Sequence, residues 1–138
     1  MARILALDYG QKRTGIAVTD PLQLIASGLT TVSTSELLDF LGTYLEQEEV
    51  ERFVIGQPRR MDNSLSDVET EILAFIRKLE QRFPGIPVAR QDERFSSKMA
   101  VRAMVEGGMK KKQRRDKAAV DKVSATLILQ SYLSSSQL

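Results

Sequence analysis

Arg3-Ile4-Leu5-Ala6-Leu7-Asp8-Tyr9-Gly10-Gln11-Lys12-Arg13-Thr14-Gly15-Ile16-Ala17-Val18-Thr19-Asp20 decides how this chain is read. The residues up to Leu7 form a short apolar strand, and Asp8 ends it. A carboxylate at the end of a buried strand is costly unless it is paired or bound to a metal. Gly10 and Gly15 allow a tight turn, after which Ile16 to Thr19 return as a second strand beside the first. Strand, acid, glycine turn and strand together suit the chemistry of phosphate and divalent metal. The plainer alternative is an aspartate that starts a hairpin turn, and this segment alone leaves both open.

Outward from that stretch, Ile25 to Val32 is a third apolar run, so the chain opens as an antiparallel meander. A helix capped by Thr34 or Ser35 follows, with Leu37, Leu38, Leu41, Tyr44 and Leu45 on its apolar face. Phe53-Val54-Ile55-Gly56 has no alternation, as expected of a strand buried in the middle of a sheet. The polar segment from Gln57 to Ser64 leads to a second helix, whose buried side is marked by Val68, Ile72, Leu73, Phe75, Ile76 and Leu79. Pro84-Gly85 interrupts it, and Ile86 to Arg90 forms a fifth strand ending at Asp92-Glu93. Ser96 or Ser97 caps a third helix that stops at Gly107-Gly108, and a last helix runs from about Ala118 to Tyr132. The reading is one α/β domain over residues 1–138, with a five-stranded mixed sheet. Three antiparallel strands come first, then two parallel ones, and helices flank the faces.

Composition narrows the chemistry. The 138 residues contain no cysteine and no histidine, which excludes disulfides, Cys or His zinc sites, thiol nucleophiles and histidine bases. Hydrolysis would have to use carboxylates, hydroxyls, Lys, Arg, or a metal held by oxygen, for which Mg²⁺ or Mn²⁺ is suited. The apolar runs are too short to span a bilayer and the N-terminus does not read as a secretory signal, so the expectation is a cytoplasmic protein without membrane partners. The formal charge is only +2, yet Lys110, Lys111, Lys112, Arg114, Arg115 and Lys117 crowd into one segment. Such a run is either a phosphate-backbone contact or a solvated loop.

Acids fall at telling places. Asp8 ends the first strand, Asp92 and Glu93 end the fifth, and Asp121 lies near the start of the last helix. Asp121, Ser124, Ala125 and Ile128 share one helical face, so a carboxylate heads a stripe of small and apolar residues. Small residues let that helix approach the sheet closely and carry Asp121 toward the strand ends. Ligands of open α/β sheets collect at the carboxyl ends of parallel strands. Converging carboxylates repel one another unless a cation lies between them. Two metal ions about 3.5–4 Å apart, held by such a cluster, support in-line attack of water on a phosphodiester. Each acid also has an ordinary reading: Asp121 as a helix-dipole partner, Asp92 or Glu93 as a partner of Arg94.

Four segments carry a resemblance that covers essentially the whole chain. They are Leu5-Ala6-Leu7-Asp8-Tyr9-Gly10 with Gly15-Ile16-Ala17-Val18; Val54-Ile55-Gly56-Gln57-Pro58 with Met61-Asp62; Asp92-Glu93-Arg94-Phe95-Ser96-Ser97; and Asp121-Lys122-Val123-Ser124-Ala125. In these the chain resembles the YqgF (RuvX-like) family, whose fold is similar to RNase H and the RuvC-type Holliday-junction resolvases. The resemblance implies an RNase H-like fold and a nuclease for 5′-end maturation of the 16S ribosomal RNA precursor. It places the metal-binding and catalytic acids on Asp8, Glu93 and Asp121, holding one or two Mg²⁺ or Mn²⁺ ions. Gln57, Asn63 and Ser124 depart from the family's usual residues, and none of these changes removes a ligand.

The nucleic-acid track expected on this reading starts with Lys110, Lys111, Lys112, Arg114 and Arg115, as an arm over the site. Lys12, Arg13, Arg59 and Arg60 extend it. Arg94 and Lys122 adjoin the acids, either as phosphate contacts or as structural partners. No stripe of aromatics suggests base stacking along the track. Three other readings stay open. A Holliday-junction resolvase would cut branched DNA, normally as a homodimer rather than a monomer. A non-catalytic RNA-binding factor would serve ribosome assembly or transcription. The turn around Asp8 also resembles the phosphate-binding hairpin of actin-like ATPases and sugar kinases, which need two such domains.

Overall fold

The structure is a computed structural model that describes residues 2–57, 68–92 and 117–136. Strand β1 (Arg3–Tyr9) is followed by β2 (Arg13–Thr19) and β3 (Ala26–Ser33). A 3-10 turn (Thr34–Glu36) runs into helix α1 (Leu37–Gln47). Strand β4 (Val50–Gln57), helix α2 (Glu69–Arg82), strand β5 (Val88–Asp92) and helix α3 (Lys117–Ser136) complete it. The sheet order is β3-β2-β1-β4-β5. β1 pairs antiparallel with β2, and β2 with β3, while β4 runs parallel to both β1 and β5. The meander followed by parallel strands is therefore the architecture expected from the hydrophobic pattern. Its consequence is that β1, β4 and β5 all present their carboxyl ends at one edge of the sheet.

Alternation along the strands sends successive side chains to opposite faces. Leu5, Leu7, Ile16, Phe53 and Ile55 pack on one face with Leu37 and Leu41 of α1 and Ile72, Phe75, Ile76 and Leu79 of α2. Ile4, Ala6, Ala17 and Val54 pack on the other with Ala125, Ile128, Leu129 and Leu133 of α3. The first face is built from large side chains, and the second mixes Ala6, Ala17 and Ala125 with Ile4, Val54, Ile128, Leu129 and Leu133.

Some expectations are corrected. Neither Thr34 nor Ser35 caps α1, whose N-cap is Glu36 without a side-chain bond. The Thr34 hydroxyl is engaged elsewhere: it donates to the Gly10 carbonyl at 2.6 Å and lies 2.9 Å from the Thr14 hydroxyl. Leu73 is 44% exposed rather than buried, because α2 turns Ile72 and Ile76 to the sheet and leaves Leu73 on the outer side. Ile25 stands outside β3 and is exposed, because the Asp20 carboxylate accepts the amides of Leu24 and Ile25 and holds both in the turn. These amides, that of Ile25 foremost, keep the Asp20 carboxyl below its ordinary pKa. The strand expected over residues 53–56 extends to Val50–Gln57. The helix expected from Ser96 or Ser97 to Gly107 lies outside the described residues.

Candidate active site

Asp8 follows Ile4 and Ala6 on the α3 side of β1 and is half-buried near the strand's carboxyl end. Across the sheet it stands opposite Gly15 of β2. At Gly15 α3 comes into close contact with the sheet. A Cβ placed on Gly15 would lie 2.0 Å from the carbonyl oxygen of Asp121 and 2.4 Å from its carbonyl carbon. Backbone thus rests on backbone, which only glycine permits. Ser124 and Ala125, both fully buried, continue the close approach. So does Gly28 of β3, where a Cβ would lie 2.8 Å from Lys122 Cγ and 3.1 Å from Thr126 Oγ1. The small-residue stripe therefore does what its spacing suggests: it brings the residue-121 end of α3 onto the strand that pairs with Asp8.

Asp121 is half-buried, and its Oδ2 accepts a hydrogen bond from Arg13 Nε at 3.1 Å. Arg13 precedes Gly15 by two residues and so stands on the same face of β2. Arg13, expected on the phosphate track, has its guanidinium against Asp121. Lys12 is exposed in the turn, and Lys122 is exposed with its stem over Gly28. Asp92, at the end of β5, is exposed and stands opposite Gln57 of β4. Glu93, Arg59, Arg60, Arg94, Lys110, Lys111, Lys112, Arg114 and Arg115 lie outside the described residues. Among the described residues no three acids gather into a metal-holding group. Asp8 and Asp121 both carry carboxylate oxygens, a donor type suited to Mg²⁺ or Mn²⁺, toward one end of the sheet.

Two supports for this end of the sheet were not anticipated. The first is a buried ion pair on the α2 side. Glu69 is only 3% exposed, and its carboxylate receives the Arg90 guanidinium as a fork, with Nη2 2.7 Å from Oε1 and Nη1 3.0 Å from Oε2. Arg90 also donates to the carbonyls of Ile55 at 3.2 Å and Gly56 at 3.0 Å, and Gln57 Nε2 donates to Glu69 Oε2 at 3.2 Å. This clamp joins the carboxyl end of β4 to α2 and β5 with paired, charge-assisted bonds. Its signal was present as opposite charges at inward registers: Glu69 lies three residues before Ile72, and Arg90 two after Val88. The second support is Thr34, which ties the Tyr9–Arg13 turn to the start of α1 through Gly10 and Thr14, while its amide donates to the Lys12 carbonyl at 3.0 Å. Tyr9 lies on the opposite side of β1 from Asp8, and its hydroxyl titrates above the ordinary tyrosine range, first from burial and then from the nearby Glu71 carboxylate.

A mixed sheet of this order, with an acid at the end of its first strand and another on a helix packed across it, defines an RNase H-like fold. Solved structures bear that out. The chain superposes on Thermus thermophilus RuvC, solved with a Holliday junction substrate, with a TM-score of 0.59 over 99% of this chain and 96% of that one, at 17% identity. The fowlpox virus Holliday junction resolvase gives a TM-score of 0.55 at 13% identity, covering 96% of this chain and 99% of that chain. At such identities the likeness is one of fold. Residues 2–135 match the model of the RuvX family, described as a Holliday junction resolvase, and the chain belongs to that family. A relative from Christiangramia forsetii is 59% identical over 133 residues, covering 96% of this chain and 98% of its own length. One from Porphyromonas gingivalis is 60% identical over 133 residues, with 96% of each chain covered. One from Bacteroides fragilis is 56% identical over 138 residues, with both chains fully covered. All three carry the name "Putative pre-16S rRNA nuclease". Among the described residues no helix is long and apolar enough to cross a membrane.

Proposed function

We propose that this chain is a metal-dependent nuclease that hydrolyses phosphodiester bonds in 5′-end maturation of the 16S ribosomal RNA precursor, in the cytoplasm. The observation that carries the reading is the contact of Asp121 with Gly15, the residue paired with Asp8. It sets the residue-121 end of the last helix beside the strand end that carries Asp8, at the carboxyl edge of the parallel strands, where such sheets bind ligands. The full-length identity to relatives bearing a nuclease name supports the same reading. In the proposal Asp8 and Asp121 bind Mg²⁺ or Mn²⁺, and Glu93, which follows directly on the last residue of β5, adds a third carboxylate. A divalent ion so held lowers the pKa of a water and offsets the charge of the leaving oxygen.

The chain's own residues have distinct parts in this scheme. Arg13 neutralises the Asp121 carboxylate through its hydrogen bond and competes there with a cation. The Glu69–Arg90 clamp fixes the end of β4, the parallel neighbour of β1. Lys12 and Lys122, both exposed, contact phosphate together with Arg59, Arg60, Arg94 and the Lys110–Arg115 run. Such contacts position a strand without reading its bases.

Cleavage of a 5′-extended 16S precursor fragment with Mn²⁺ or Mg²⁺ tests the proposal, with Asp8→Asn protein and a four-way DNA junction in parallel. The expected result is metal-dependent cutting of the RNA that Asp8→Asn loses. The second reading is junction cleavage, favoured by the description of the family model. Cutting of the DNA junction alone would replace the first reading by the second. Binding of the RNA without cutting, equally by both proteins and in chelator, would make the chain a ribosome-assembly factor.

A further inference from the structure

A cavity of about 450 Å³ opens on the other side of β1 from Asp8, between the β1–β2 turn, the start of α1 and the outer face of α2. Its size is that of a small-ligand site. One wall is aromatic: the Tyr9 and Phe75 rings lie 5.1 Å apart between centroids, at 38°. Facing them is a polar pair, in which Gln11 Nε2 donates to Glu71 Oε1 at 3.2 Å. Lys78 is the cation of the lining and Glu71 its acid, so the cavity offers no net positive charge to a phosphate. It offers instead an apolar surface for a flat ring, a carboxylate that accepts N–H groups, and an amide that donates and accepts. Tyr9 is the residue next to Asp8, so the cavity and the candidate acid share one strand end.

We infer that this cavity takes one unpaired nucleobase of the strand whose phosphate is presented at Asp8, recognised through N–H donors on the base's Watson–Crick edge. The inference rests on the nuclease reading for the identity of that strand. Single-stranded bases are held in this manner, stacked on aromatic rings and hydrogen-bonded at their edges. Guanine sets two adjacent N–H donors against a carboxylate and so binds most tightly, while adenine, cytosine and uracil each present one donor group on that edge and bind more weakly.

The test is a titration of ¹⁵N-labelled full-length protein in EDTA with GMP, AMP, CMP and UMP, and with ribose 5-phosphate as the base-free control. GMP is expected to shift the amides of Tyr9, Gln11 and Phe75 and ribose 5-phosphate to leave them in place. Glu71→Gln should weaken GMP by about 5-fold or more, the loss expected of a paired base contact. Ala74→Phe fills the cavity from an exposed position on α2 and should abolish the shifts in a folded protein. A short guanosine-containing RNA should move the same amides at lower concentration than GMP. Equal shifts with ribose 5-phosphate, no shift at millimolar GMP, retention in Ala74→Phe, or tighter binding of free GMP than of the RNA would each overturn the inference. Binding without metal is independent of cleavage: base binding with no cleavage sinks the nuclease reading alone, and cleavage with no base binding sinks this one.

Discussion

The two faces of the sheet are built on opposite terms. The α1–α2 face is filled by leucine, isoleucine and phenylalanine, which hold the helices off the strands at side-chain distance. The α3 face has Gly15 and Gly28 on the strands and Ser124 and Ala125 on the helix, and at Gly15 the helix backbone meets the strand backbone. Large side chains bury much apolar surface and tolerate some rearrangement. Small ones bury less and fix position more strictly, because no flexible group separates the two backbones. The acids Asp8 and Asp121 both belong to the strict face. A carboxylate pair that shares a cation needs fixed position more than it needs a deep core.

This contrast predicts different consequences for damage on each face. The largest loss of stability is expected from Leu41→Ala on the α1 face, about 2–5 kcal/mol from lost burial and a cavity. Urea denaturation measures it, and cleavage per folded molecule should be retained. Gly15→Ala on the α3 face should cost less stability, about 1–3 kcal/mol of overpacking, because α3 must lift off β2 to admit the methyl group. Its cleavage per folded molecule should nevertheless be lost, and full activity in Gly15→Ala would break the contrast. Arg13→Gln should change stability by no more than about 1 kcal/mol, since the ion pair with Asp121 is half-exposed and screened. It should tighten Mn²⁺ binding, because a fixed positive charge beside a ligand opposes a cation. Weaker Mn²⁺ binding in Arg13→Gln would mean that Arg13 positions Asp121 more than it competes for it.

Much of this was legible before the fold was known, and the rest was hidden for physical reasons. The strand periodicity and the two helix-linked parallel strands were written in local pattern, which sets sheet order when connections are short. The stripe Asp121-Ser124-Ala125-Ile128 was also local, and Ser124, Ala125 and Ile128 are buried. Thr34 misled because its position favours a cap, while a contact 24 residues away at Gly10 claims its hydroxyl. Leu73 misled because an apolar side chain on a helix does not by itself say which side faces the core. Glu69 and Arg90 were missed because their inward registers are local but their pairing is not: only the fold sets one against the other. The cavity beside Tyr9 could not be read at all: its walls come from β1, the 3-10 turn, α1 and α2.

On the proposed reading Asp8 and Asp121 act on one cation although the chain separates them by more than a hundred residues. Mn²⁺ binding by electron paramagnetic resonance, compared among wild-type, Asp8→Asn and Asp121→Asn proteins, tests it most directly. Either substitution should weaken the same binding event, and the double variant should be little worse than the single ones. Wild-type affinity in Asp121→Asn, beside a loss in Asp8→Asn, would contradict it.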